Sequence, residues 1–127
     1  EIFNDKKAEN IVLCSENRFS ESTTHFCHYI PVKENNNKLQ PIYILKALAN
    51  EGITSVLIEG GQEVLSSFVI DNLIDKVYLY TSNKKLDGAM LKNPIQLSDE
   101  WKILEEELLG EDSLLIAEKG LECLQES

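Results

Sequence analysis

Gly60 and Gly61, preceded by Glu59 and followed by Ser66 and Ser67, are the residues of this chain whose types and spacing best suit chemistry. Two glycines let a chain turn sharply and let a ligand approach the backbone with no Cβ in the way. Where a helix begins here, the free N–H groups from Gly61 to Val64 point outward and concentrate positive potential where an anion can sit. Ser66 and Ser67, a turn further on, can add hydroxyl groups or form a solvated helix face. Glu59, directly before the turn, can bond ligand hydroxyl or amino groups, or it can remain an exposed carboxylate near the helix start. The pattern is neither Gly-x-Gly-x-x-Gly nor a P-loop, so it does not name a ligand. A turn that simply needs small residues would read the same way.

Other combinations are less productive. His25-Phe26-Cys27-His28 is spaced too tightly along an extended strand for its ligands to converge on a metal, and no second cluster completes a tetrahedral set, so no metal site is expected. Asp71, Asp75 and Asp87 form no acid-base pair, and no Ser/His/Asp arrangement is visible. Lys84 and Lys85 follow a strand and could add positive charge at the edge from which Gly60 emerges, although exposed lysines are common.

The elements that must position these residues follow from the apolar pattern. Ile11-Val12-Leu13-Cys14 reads as a buried strand and Cys27–Val32 as a second, with the Glu34-Asn35-Asn36-Asn37-Lys38 cluster a solvated loop. From Pro41, residues Ile42, Leu45, Leu48 and Ala49 recur at helical spacing, with Pro41 suited to the first turn and Gly52 to the left-handed stop. The continuous run Ser55-Val56-Leu57-Ile58 predicts a central strand covered on both faces. Val64, Leu65, Phe68 and Val69 predict a helix ending near Asp71-Asn72, and residues 75–80 a strand. Strand, diglycine turn, helix and strand make a β-α-β unit with a right-handed crossover, and the fold class is α/β. Trp101 to Lys119 reads as a hairpin turning at Gly110-Glu111-Asp112-Ser113, and the tail from Gly120 as frayed.

Composition bounds the partners. The chain has 127 residues, enough for a single domain over 1–127, and no stretch reads as a membrane span or a secretory leader. A formal net charge of -10 works against broad contact with nucleic acid or an anionic membrane. It does not oppose a phosphorylated small molecule held by backbone amides. Cys14, Cys27 and Cys123 are odd in number and unpatterned, which fits reduced thiols and a cytoplasmic location. The start at Glu1 is expected to be that of a fragment.

The segment Leu45-Lys46-Ala47-Leu48-Ala49-Asn50-Glu51-Gly52-Ile53-Thr54-Ser55-Val56-Leu57-Ile58-Glu59-Gly60-Gly61 resembles the reductase domain of the bacterial bifunctional riboflavin biosynthesis deaminase-reductase. Ser67-Phe68, Leu73-Ile74-Asp75-Lys76-Val77 and Lys85-Leu86-Asp87-Gly88 continue the likeness, and Trp101 to Lys119 looks like that family's terminal hairpin. The match runs over roughly the last two thirds of the chain.

This resemblance implies a dihydrofolate-reductase-like fold: a central mixed sheet flanked by helices with a C-terminal β-hairpin, here as a partial domain. It implies NADPH as cofactor and reduction of the ribosyl group of 5-amino-6-(5-phosphoribosylamino)uracil, or of its diaminopyrimidine counterpart, to ribityl. By position, Glu59 would contact substrate, and the stretch Gly60, Gly61, Gln62, Glu63, Val64, Leu65, Ser66 and Ser67 would contact the cofactor. Homodimers are implied, with the terminal hairpin as a natural contact surface. The family's amino-terminal half is absent from these residues, and Asn83-Lys84 stands where a proline is expected before the loop lysine. A non-catalytic α/β module binding a phosphorylated ligand or a protein partner is the reading from another class, and a dihydrofolate-type reductase with a different substrate is a second enzymatic one.

Overall fold

The structure is a computed structural model that describes residues 8–20 and 27–120. It divides into two compact units, Glu1–Ile58 and Glu59–Ser127.

In the first unit, β1 (Asn10–Ser15) and β2 (Cys27–Val32) pair in parallel, with Asn10 opposite Cys27 and Ser15 opposite Val32. Val32 is buried, and Ser15 is buried as the cap of a short 3-10 turn at Glu16–Arg18. The Asn-rich cluster, expected as a loop, is a small hairpin instead: β3 (Glu34–Asn35) and β4 (Lys38–Leu39) pair antiparallel. Asn36 and Asn37 both take left-handed backbone, at φ 51° and 58°. A type I′ turn requires positive φ at both central residues, and asparagine is among the few L residues that enter that region readily. The cluster therefore has a conformational role that its polarity concealed.

Helix α1 (Pro41–Asn50) lies against β2. Pro41 occupies its first turn, where a missing N–H costs nothing. Gly52, at φ 81°, ends it as expected: the amides of Gly52 and Ile53 bond back to the carbonyls of Ala49 and Leu48 at 3.0 and 3.1 Å.

The expected central strand at Ser55–Ile58 is not formed. Residues 53–61 have no regular secondary structure, and Leu57 is 73% exposed. A strand exists only as part of a ladder, and no strand among the described residues pairs with this run.

In the second unit, α2 (Gln62–Ile70) is followed by a three-stranded antiparallel sheet in the order β5-β7-β6, with β5 at Lys76–Thr81, β6 at Trp101–Leu109 and β7 at Asp112–Lys119. Strand β5 thus pairs with β7 rather than entering a parallel ladder. The terminal hairpin forms as expected, turning through Gly110 at φ 70°. The register shift between Ile103 and Glu105 places a bulge at Leu104. Among the described residues of this unit, Phe68, Val77 and Ala117 are the buried apolar ones. Asn72, at φ 56°, stops α2 as Gly52 stops α1, with the Leu73 amide bonded to the Phe68 carbonyl at 3.0 Å. Among the described residues no helix is long and apolar enough to cross a membrane. Of the tail expected to fray from Gly120, Gly120 itself donates its amide to the Glu100 carbonyl at 2.9 Å, and the rest lies outside the described residues.

Candidate functional site at the start of the second helix

The diglycine turn leads directly into α2. Gly61 is the N-cap residue, at φ -68° and ψ 171°, and supplies no side-chain hydrogen bond to the helix. The first bond of the helix runs from the Leu65 amide to the Gly61 carbonyl at 3.2 Å. The amides before Leu65 therefore have no acceptor within the helix itself.

The two glycines differ in what surrounds them. A Cβ built on Gly60 would lie 3.0 and 3.1 Å from Val64 Cβ and Cγ1, a tight contact that Val64 would have to yield to by a few tenths of an ångström, so packing of the turn against the helix favours glycine at this position. A Cβ built on Gly61 meets nothing within 4 Å. Among the described residues nothing packs where that Cβ would project, which leaves room for a group to approach the start of the helix. The two glycines thus differ in surroundings: Gly60 is crowded by Val64, and Gly61 faces open space.

The remaining candidates sort by geometry. Glu59 is exposed beside the turn, as a ligand-contacting carboxylate needs to be. Glu63 is an acidic residue in the first turn, favourable to the helix dipole but a like charge beside any phosphate. Val64, which the apolar pattern placed on the buried face, is 48% exposed and covers Gly60, while Leu65 and Ser66 are half-buried. The Ser67 hydroxyl donates to the Val64 carbonyl at 2.7 Å. Its one proton is committed to the helix, and its oxygen remains an acceptor, suited to a ribose hydroxyl rather than to a phosphate. Lys84 and Lys85 are exposed in the segment after β5, where the Lys84 amide donates to Ser82 Oγ at 3.3 Å.

A cleft of about 180 Å³ opens at the other end of α2, lined by residues including Val69, Asn72, Ile74, Trp101 and Lys119. Small-molecule sites are roughly 300–1,000 Å³, so it is too small for a dinucleotide. It is not the anion site.

Among the described residues no group of three or more His, Cys, Asp or Glu could hold a metal. His25 and Phe26 lie outside the described residues. Cys27 and His28 are neighbours on β2 and so point to opposite faces, and His28 Nε2 lies 3.6 Å from Glu51 Oε2.

One polar group went unnoticed in the sequence. At the carboxyl ends of β1 and β2, the Asn17 amide donates to Ser15 Oγ at 3.2 Å and Asn17 Nδ2 donates to Glu34 Oε1 at 2.8 Å. Hydrogen bonds from Ser15 and Asn17 hold the Glu34 carboxyl below the usual carboxylate range; partial burial opposes this and the charge of Arg18 adds to it. Seventeen positions separate Asn17 from Glu34, and only the parallel pairing of β1 with β2 brings them together.

The family model described as the RibD C-terminal domain matches residues 1–115. Two solved structures are similar. One is RibD of Acinetobacter baumannii, form 2, at 19% identity and a TM-score of 0.56, covering 88% of this chain and 38% of that one. The other is a diaminohydroxyphosphoribosylaminopyrimidine deaminase/5-amino-6-(5-phosphoribosylamino)uracil reductase of Thermotoga maritima, at 20% identity and a TM-score of 0.55, covering 91% of this chain and 39% of that one. The chain spans less than two fifths of the length of either. No curated protein matches it by sequence. At these identities the likeness establishes the fold, which is α/β and dihydrofolate-reductase-like. The family match also reaches back over β1 and β2, beyond the residues from Leu45 onward that carried the resemblance.

Proposed function

Since the chain belongs to the RibD C-terminal domain family, a reductase family of riboflavin synthesis, we propose that it forms part of a single cytoplasmic reductase domain. This domain uses NADPH to reduce the ribosyl group of 5-amino-6-(5-phosphoribosylamino)uracil, or of its diaminopyrimidine counterpart, to ribityl. The observation that carries the proposal is Gly61: an N-cap without a capping side chain, with open space where a Cβ would project. This cradle fits a phosphate of the cofactor, because backbone amides at a helix start supply donors and positive potential together.

In this reading NADPH supplies the hydride, and the chain supplies binding and orientation. The amides following Gly61 hold a cofactor phosphate, and Ser67 Oγ accepts from a ribose hydroxyl. Gln62, Glu63, Val64, Leu65 and Ser66 form the wall of the helix start. Glu59 accepts hydrogen bonds from substrate hydroxyl or amino groups. Hydride transfer requires donor and acceptor held about 3 to 3.5 Å apart, which gives these contacts their purpose. The enzyme works as a homodimer.

Calorimetric titration with NADPH, run beside NADH, tests the reading without the substrate. Saturable binding that prefers NADPH is the expected result. Equal binding of the two cofactors, or no binding by a protein that contains this chain together with the rest of its reductase domain, would overturn it.

A further inference from the structure

A pair of glycines lets a turn adopt many conformations, and a cradle that must be ordered at each binding event holds an anion less well than a preformed one. The directions of Glu59 and of the amides beyond Gly61 therefore depend on a contact that restrains the turn. One side chain is placed to do so. The three heavy atoms nearest to the Cβ position of Gly60 are Val64 Cβ, Cγ1 and Cγ2, at 3.0, 3.1 and 3.6 Å. The whole branch of Val64 rests on the turn.

Residue type and position both fit that task. Val64 is the third residue of α2, and side chains tilt back toward the amino end of their helix, which carries this one over the residues that precede it. A β-branched side chain in a helix keeps largely to one χ1 rotamer, so both γ methyl groups are fixed points against Gly60. The Ser67 hydroxyl, donating to the Val64 carbonyl at 2.7 Å, holds the backbone from which the branch departs. Helix propensity does not account for valine here, since alanine is the better helix former.

We propose that Val64 is a positioning residue of this site: its branched side chain, resting on Gly60, sets the angle at which the diglycine turn enters α2. It thereby aims both the free amides of the helix start and the Glu59 carboxylate. Holding the backbone of one residue in place before the ligand arrives is worth about tenfold in affinity. The proposal rests on the reading of the helix start as the cofactor site.

The test uses a protein that contains this chain together with the rest of its reductase domain. Calorimetry reads NADPH affinity, and NMR relaxation without ligand reads the backbone order of the turn. Val64→Ala is expected to bind NADPH about tenfold more weakly and to lower the order parameters of the Gly60 and Gly61 amides. Val64→Ile, which keeps the branch at Cβ, retains both readings. Val64→Leu, apolar and larger but unbranched at Cβ, loses both. Val69→Ala, which shortens a side chain on the same helix away from the turn, leaves NADPH affinity unchanged even where it lowers the melting temperature. Undiminished binding by Val64→Ala or Val64→Leu, a Val64→Ile variant as weak as Val64→Ala, an equal loss in Val69→Ala, or unchanged order at both glycines would each overturn the proposal. If Val64→Ala does not fold, the comparison of Val64→Leu with Val64→Ile decides. An unchanged protein that does not bind NADPH refutes the cofactor reading instead, and the order parameters of the turn still judge the role of Val64.

Discussion

Replacing Gly61 by aspartate should move stability and cofactor affinity in opposite directions. Gly61 caps α2 with extended backbone, at φ -68° and ψ 171°, a conformation that aspartate adopts freely, and nothing lies within 4 Å of the new Cβ. An aspartate there can accept from the amides of the first turn, which is worth a few tenths of a kcal/mol over glycine as a cap. Restricting the unfolded backbone adds about 0.4–1 kcal/mol, and a negative charge at the helix start roughly 0.3–1 kcal/mol. The sum is about 1 to 2 kcal/mol, a rise in melting temperature of roughly 3–8 °C for a chain of this length. The same carboxylate occupies the amides and repels a phosphate. Losing one charge-assisted hydrogen bond costs about 1.5–3 kcal/mol, so NADPH affinity should fall by at least about tenfold. Thermal melts followed by circular dichroism give the first quantity and calorimetric titration the second. A variant that is more stable and binds NADPH undiminished removes Gly61 from the cofactor site. One that is less stable shows that glycine is there for the fold.

The other predictions separate neighbouring residues. Gly60→Ala should destabilise without a direct effect on binding, because its Cβ would press on Val64 at 3.0–3.1 Å; overpacking of this kind costs about 1–3 kcal/mol, visible as a lower melting temperature. Glu59→Gln should weaken substrate more than cofactor in separate titrations, and an equal loss of both would assign it a structural role. For Glu34, the carboxyl is held below its ordinary range in the folded chain. Its contribution is therefore complete above the unfolded carboxylate pKa and is lost as pH falls through the depressed folded value. The stability gap between the native chain and Glu34→Gln should be flat at neutral pH and close in acid, as read from denaturant melts across pH; a gap that widens in acid would contradict the assignment.

The elements legible in the sequence are those whose signals are local. Pro41 and Gly52 bracket α1, and the turn at Gly110 lies between two runs that pair with each other, so each could be placed from a few neighbouring residues. Ser55–Ile58 failed for the opposite reason: an apolar run specifies what could be buried, while the ladder that makes it a strand depends on chain far away. The Asn36-Asn37 turn was hidden because asparagine serves both solvated loops and left-handed turns. At the candidate site, the glycines were legible as a pair, but their different surroundings were not. Whether a Cβ would strike Val64 or project into open space is a matter of ångströms, set by how the turn enters the helix.

Asn72 has a consequence for which changes of length this region can accept. By forcing left-handed backbone right after α2, it fixes the helix at Gln62–Ile70 and makes it a strut of fixed length, about 13 Å from end to end. One residue inserted within the strut would displace one end from the other by about 1.5 Å and turn it by roughly 100°. Phe68 would then leave the core, or the amides beyond Gly61 would face a new direction. Residues 82–99, which contain no helix or strand, can absorb the same insertion without moving either. Length variation among functional versions of this chain should therefore fall in that segment and leave α2 untouched.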